Sequence, residues 1–368
     1  MDRLTLWLAG DVMTGRGIDQ VQRHPGDPTL YESLVHDARD YVRLAEAANG
    51  PVPAPVAPDY IWGEALAAID RRAPDLRLVN LETAITSAKR PWPGKGVHYR
   101  MHPANIACLQ AARIDGCALA NNHVLDWSRD GLRETLRSLR QAGIHSAGAG
   151  VDADSAAAPA VLPLAAGARL LMFSWATPDS GVPAEWRAQA QRPGVALLRG
   201  LDESAAQDVA SHVARWRQAG DRVLVSMHWG GNWGVEVPQL HQQFSRRLIE
   251  LGAADLVHGH SSHHPRPLEV YRGRLILYGC GDLINDYEGI TAMGRLDPSA
   301  VCLYFVQLSR ASGEVQQVEI VPMQLRRLQL RHAQAAARRG LQSLFESAGP
   351  RWSTHLQAQE DGSWQLRW

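Results

Sequence analysis

The segment Leu256-Val257-His258-Gly259-His260-Ser261-Ser262-His263-His264-Pro265 places four histidines within seven positions. Imidazole is the commonest metal ligand near neutral pH and a frequent proton carrier. The apolar residues before His258 read as a strand that delivers these rings to its C-terminal edge, and Gly259 permits close approach of backbone to a ligand. A solvated histidine cluster is the plainer alternative. Other polar residues stand at the ends of similar short apolar runs: Asp11 after residues 4–9, Asn80 and Glu82 after 76–79, Asn122 and His123 after 117–120, and His228 after 222–226. If those runs are neighbouring strands, Asp11, Glu82, Asn122, His228, His260 and His263 converge at one sheet edge. Carboxylate, amide oxygen and imidazole form a mixed donor set that suits zinc, manganese or iron, and calcium where the oxygens dominate. The set lacks cysteine, which argues against a structural zinc knot.

The elements that must position these residues follow a repeated strand, polar turn, helix pattern. Helical periodicity covers residues 131–142, closed by Gly143 as a C-cap signal, and residues 209–218. This predicts an α/β fold, in which ligands gather outside the carboxyl ends of the strands. Residues 49–58 hold too many prolines for a helix or central strand and predict an extended surface loop. Residues 89–100 form a basic loop, read either as solvated or as a lid whose Lys95 and Arg100 meet an anionic substrate. Trp229 and Trp233 flank a glycine-rich turn beside His228, where they either pack in the core or wall a substrate pocket. Beyond residue 300, a hairpin (301–308 and 315–321), a helix (328–347) and a last hairpin (354–368) are expected.

Composition narrows the class of partner. The 368 residues carry 38 Lys+Arg against 38 Asp+Glu, so no net charge draws the chain to nucleic acid or a membrane surface. No run of about eighteen apolar residues predicts a spanning helix, and the N-terminal apolar stretch is too short for a signal-peptide core. The four cysteines are scattered without a CxxC pair, which predicts reduced thiols and a cytoplasmic protein. Oligomeric state leaves no signal.

Several segments together resemble the ordered motifs of the CapA family, named for a capsule protein of poly-γ-glutamate synthesis, within the calcineurin-like metallophosphoesterase superfamily. They are Gly10-Asp11-Val12-Met13, Asn80-Leu81-Glu82, Ala120-Asn121-Asn122-His123-Val124-Leu125-Asp126, His228-Trp229-Gly230 and Gly259-His260 to His263. His260 and His263 keep the spacing of the family's outer histidines, and Glu269 falls where a downstream glutamate is expected. The resemblance implies two central β-sheets sandwiched between helices (α/β/β/α), with residues 1–300 as the catalytic domain and 301–368 as a C-terminal extension packed on it. It also implies that Asp11, Asn122, His228, His260 and His263 bind metal, and that His123 stabilises or protonates a departing group. The superfamily's first motif is Asp-x-His, but Met13 stands at its histidine. Asn80 and Glu82 occupy the region of a bridging aspartate, with Glu82 a candidate ligand and Asn80 a candidate substrate contact. One ion or two is therefore left open.

The resemblance implies a hydrolase that uses metal-activated water and His123 on a phosphoester, or on a small-molecule, peptide or poly-γ-glutamate-type polymer substrate. The alternative is a metal-dependent peptide epimerase that exchanges a Cα proton through His/Asp pairs. Suitable pairs are His123 with Asp126, and His260 or His263 with Asp282 or Asp286. A third reading is a non-catalytic scaffold in capsule polymer synthesis, against which the expected lack of a membrane anchor counts.

Overall fold

The computed structural model describes residues 3–290, 297–347 and 349–368. Strand Arg3–Val12 lies at the centre of a ten-stranded mixed sheet. It pairs in parallel with Leu76–Leu81 on one side and with Asp282–Ile284 near its end, and antiparallel with Ala300–Ser309 on the other side. Gly116–Ala118 and His145–Ala147 continue the parallel edge. A second, six-stranded sheet runs in parallel through Arg169–Ala176, Arg222–His228, Leu256–His260 and Arg274–Leu277.

Leucines explain why the two sheets stack. Leu4, Leu6, Leu8, Leu76 and Leu78 of the first sheet pack in one buried cluster with Leu170, Met172, Leu224, Leu256 and Leu275 of the second. Each fully buried leucine contributes roughly 1.5–3 kcal/mol relative to exposure. The alternate side chains of the first sheet, Trp7, Ala9 and Val79, face helices Ala65–Arg72 and Ser128–Gln141. Val223, Val225 and Val257 of the second sheet face helices Glu203–Ala214 and Gln239–Glu250. The layers are thus α/β/β/α, as expected.

Three expectations are adjusted. Residues 301–368 add strands to the ten-stranded sheet, with Leu4 opposite Leu308 and Leu8 opposite Tyr304. A boundary at residue 300 therefore falls at the start of a central strand. The helix expected over 209–218 starts earlier, at Glu203, because the Asp202 carboxylate caps the Ala205 N–H at 2.8 Å. Gly259 serves packing rather than ligand approach: a Cβ there would meet the Tyr278 and Leu277 carbonyl oxygens at 2.5 and 2.6 Å. The four cysteines are buried and unpaired, and no helix among the described residues is long and apolar enough to cross a membrane.

Candidate metal centre

The carboxyl ends of both sheets' parallel strands meet around Asp11. Register places Asp11 level with Asp282 on one neighbouring strand and with Asn80 on the other. His228 and His260 are register partners at the ends of their strands in the second sheet. Asp11, His228 and His260 offer donor atoms within 4.8 Å of one another, and so do Asp11, His263 and Asp282. Asp11 belongs to both sets.

A hydrogen-bond chain fixes which imidazole nitrogens face this cluster. The Ala9 carbonyl accepts from His258 Nε2 at 2.9 Å, so His258 Nδ1 accepts from Ser226 Oγ at 3.1 Å. Ser226 Oγ is then left to accept from His260 Nε2 at 2.8 Å. His260 Nδ1 carries only a lone pair. His228 donates from Nε2 to Asn122 Oδ1 at 3.0 Å, which leaves its Nδ1 bare as well. The two Nδ1 atoms stand 2.8 Å apart, and lone pairs at that separation repel unless a cation lies against both. The residues therefore fit a divalent ion, and orientation of each ligand by an outer partner is the usual design of such sites.

Electrostatics agree with the donor geometry. Burial, then the neighbouring Asp282 charge, pushes the Asp11 pKa up to about 7. Glu82 is raised by burial and by Asp11 and Asp282. His228 and His260 are pushed down by burial and by other imidazoles. Neutral imidazoles and crowded carboxylates are the forms a cation stabilises. Burial alone would lower His263, but the charge and hydrogen bond of Asp282 raise it overall.

His123 sits across from this cluster. Its Nδ1 lies 2.6 Å from Asp126 Oδ2, and Lys95 Nζ is 2.6 Å from Asp126 Oδ1. The carboxylate places the proton on Nδ1, so Nε2 turns a lone pair toward Glu82 Oε1, 3.8 Å away. Burial lowers the His123 pKa to about 4, opposed by Asp126 and aided by Lys95. His263 Nδ1 pairs with Asp282 Oδ1 at 2.8 Å, giving a second His–Asp dyad.

Several expected roles are corrected by placement. Asn122 directs its oxygen to His228. Asn80 is fully buried, donating to Asp11 Oδ1 at 2.8 Å and Glu82 Oε2 at 3.0 Å, so it holds the carboxylates rather than substrate. Asp286 pairs with Arg16 instead of a histidine, and His260 has a serine and His228 as its neighbours in place of Asp282. Arg100 spends its guanidinium on the Ala88 and Asp27 carbonyls, while Lys95 of the same loop reaches the His123 dyad. Trp229 is a core residue, its Nε1 donating to the Tyr278 carbonyl and its ring stacked on His241. Trp233 is 41% exposed and packs 5.5 Å from the His263 ring, at the mouth of the site. Glu269 is occupied by Arg246 and the Tyr278 hydroxyl.

Sequence reasoning missed Arg16, Tyr99, Tyr287 and Ser226. Arg16 had a signal, standing between two glycines just beyond the first strand, and it adopts φ 47°. Tyr99 and Tyr287 adjoin residues already singled out, Arg100 and Asp286.

A layered α/β/β/α protein with an aspartate-histidine centre at the sheet edges is the class these observations define. The family described as bacterial capsule synthesis protein PGA_cap matches residues 5–287, and the chain belongs to that family. It is 44% identical over 361 residues to a probable polyglutamine synthesis accessory protein of Mycobacterium tuberculosis, covering 98% of this chain and 95% of that one. It is 23% identical to the PGA biosynthesis protein CapA of Bacillus subtilis, covering 83% of this chain and 68% of that protein. Among solved structures, a phosphatase of Mycoplasma pneumoniae aligns with TM-score 0.46 and 12% identity over 88% of this chain and 94% of that one. A likeness at that level adds nothing to the layer order described above.

Proposed function

We propose that the protein is a divalent-metal-dependent hydrolase, cleaving a phosphoester or an amide-linked peptide or poly-γ-glutamate-type substrate. The observation that carries this reading is the pair of donor sets sharing Asp11, faced by the free Nε2 of His123. An ion held by Asp11, His228 and His260, with a second by Asp11, His263 and Asp282 if two are bound, would supply Lewis-acid polarisation of a substrate or water oxygen. His123 takes a proton at Nε2 and returns it to the departing group, while Asp126 steadies the resulting imidazolium and Lys95 balances the carboxylate. Trp233 offers an apolar wall for a chain-like substrate. Similarity to proteins named for polyglutamine synthesis and PGA biosynthesis supports a polymer over a small phosphate ester.

A second reading draws on one specific observation, the two dyads His123–Asp126 and His263–Asp282. Two imidazoles, each backed by a carboxylate, suit removal of a Cα proton by one and its return by the other. The relatives' description as accessory proteins keeps the scaffold reading as a further outcome. One experiment separates all three. The zinc- or manganese-loaded protein is incubated with phosphoesters, γ-glutamyl oligomers and peptides in heavy water, and products are read by mass spectrometry. Cleavage abolished by His123→Ala supports the hydrolase. Deuterium at Cα without cleavage overturns it in favour of the epimerase, and no reaction with any substrate overturns both in favour of the scaffold.

A further inference from the structure

Each dyad is built against a tyrosine, and the two tyrosines touch. The Tyr99 ring packs edge-on against His123 at 4.6 Å between centroids, and its backbone N–H donates to Asp126 Oδ2 at 2.6 Å. The Tyr287 ring packs edge-on against His263 at 5.5 Å. Its backbone N–H donates to Asn285 Oδ1, and Asn285 Nδ2 donates to Asp282 Oδ2 at 2.9 Å. Tyr99 and Tyr287 thus each hold both members of one dyad, directly or through one side chain. Their hydroxyls are hydrogen-bonded to each other at 3.0 Å. The Arg16 guanidinium lies 4.5 Å from the Tyr99 ring centre and 5.6 Å from that of Tyr287, anchored by Asp286 and Glu32.

Resting on the second reading above, in which both dyads carry protons, we propose that Tyr99 and Tyr287 are positioning residues. Their hydroxyl-to-hydroxyl bond, clamped under Arg16, ties His123–Asp126 to His263–Asp282 as one rigid unit. The two imidazoles come from different places in the chain: one follows a strand of the ten-stranded sheet, the other follows a strand of the six-stranded sheet. Among the contacts described, the tyrosine pair joins the outer walls of the two dyads directly. All three side chains are buried, so the bond is not exchanged with bulk water.

A merely local packing role and a coupling role differ in what they do at a distance. Tyr99→Phe keeps the ring on His123 and removes only the hydroxyl, and Tyr287→Phe does the same on His263. The test uses 15N-histidine-labelled, zinc-loaded protein, with the two rings assigned from His123→Asn and His263→Asn. The proposal expects Tyr99→Phe to move the His263 ring resonances as well as those of His123, and Tyr287→Phe to move His123. It is overturned if each variant moves only the ring its own tyrosine touches. Thermal melts identify a variant that fails to fold, and the other variant then decides. The readout needs no turnover, so loss of either catalytic reading leaves it interpretable. Where turnover is found, each single variant lowers kcat by about tenfold at most with KM unchanged, the worth of one net hydrogen bond. The double variant then loses no more than either single one, because both remove the same bond.

Discussion

Asp126, fully buried, holds His123 by one oxygen and takes the half-buried Lys95 ammonium on the other. Burial alone would raise its pKa, yet His123 and Lys95 outweigh burial and keep it below the ordinary carboxylate value. Asp126→Asn keeps the shape but removes the charge that selects the Nδ1–H tautomer. Loss of such an outer partner costs about 10–100-fold in activity, and that loss is expected in kcat of the hydrolytic assay, with metal content unchanged. An unaltered rate would remove His123 from the proton path. The participants at this scale were readable wherever a polar residue ends an apolar run, as with Asp11, Glu82, His228 and His260. The partners of Arg16, Arg100 and Asp286 were not, because tertiary folding sets them: Arg16 finds Asp286 across 270 positions. Trp229 stayed open between pocket and core because a tryptophan in a glycine-rich turn has the same local pattern in either place.

Strands Arg3–Val12 and Leu256–His260 belong to different sheets, and His258 links them through the Ala9 carbonyl. Burial lowers the His258 pKa to about 4, against 6.5 for the free side chain. The folded value is the depressed one, so the unfolded chain binds more protons between these limits. The contribution of His258 is fully present above about pH 6.5 and is lost as pH falls through the folded value near 4. His258→Leu leaves the Ala9 oxygen and Ser226 without their partner, at a cost of about 1–3 kcal/mol at pH 7. Urea unfolding at pH 7 and pH 5 measures this: the gap between wild type and variant should narrow at the lower pH, and a gap that widens contradicts the assignment. Strand positions were legible in the short apolar runs, and sheet membership was legible only through the family resemblance. Periodicity marks a strand but not its neighbours; stacked leucines on two sheets look alike until packing sorts them.

Across the whole molecule, the centre is divided between the two sheets. The ten-stranded sheet supplies Asp11, Glu82 and Asp282, and the six-stranded sheet brings His228, His260 and, just beyond its edge, His263. An ion bound there crosslinks the layers, so its binding and the stability of the fold are linked. Met13, at the position of the superfamily's first-motif histidine, is buried under Tyr287 and offers no imidazole. The second donor set is completed instead by Asp282, level with Asp11 on the neighbouring strand, an arrangement that local sequence does not display. Asp11 is therefore the residue on which both sets depend. The most direct measurement is the metal content of wild-type protein and Asp11→Asn after equilibration with zinc and removal of free ion. The account predicts that wild type retains zinc and that Asp11→Asn, still folded, binds it at least about tenfold more weakly. Zinc retained by Asp11→Asn at the wild-type level would contradict it.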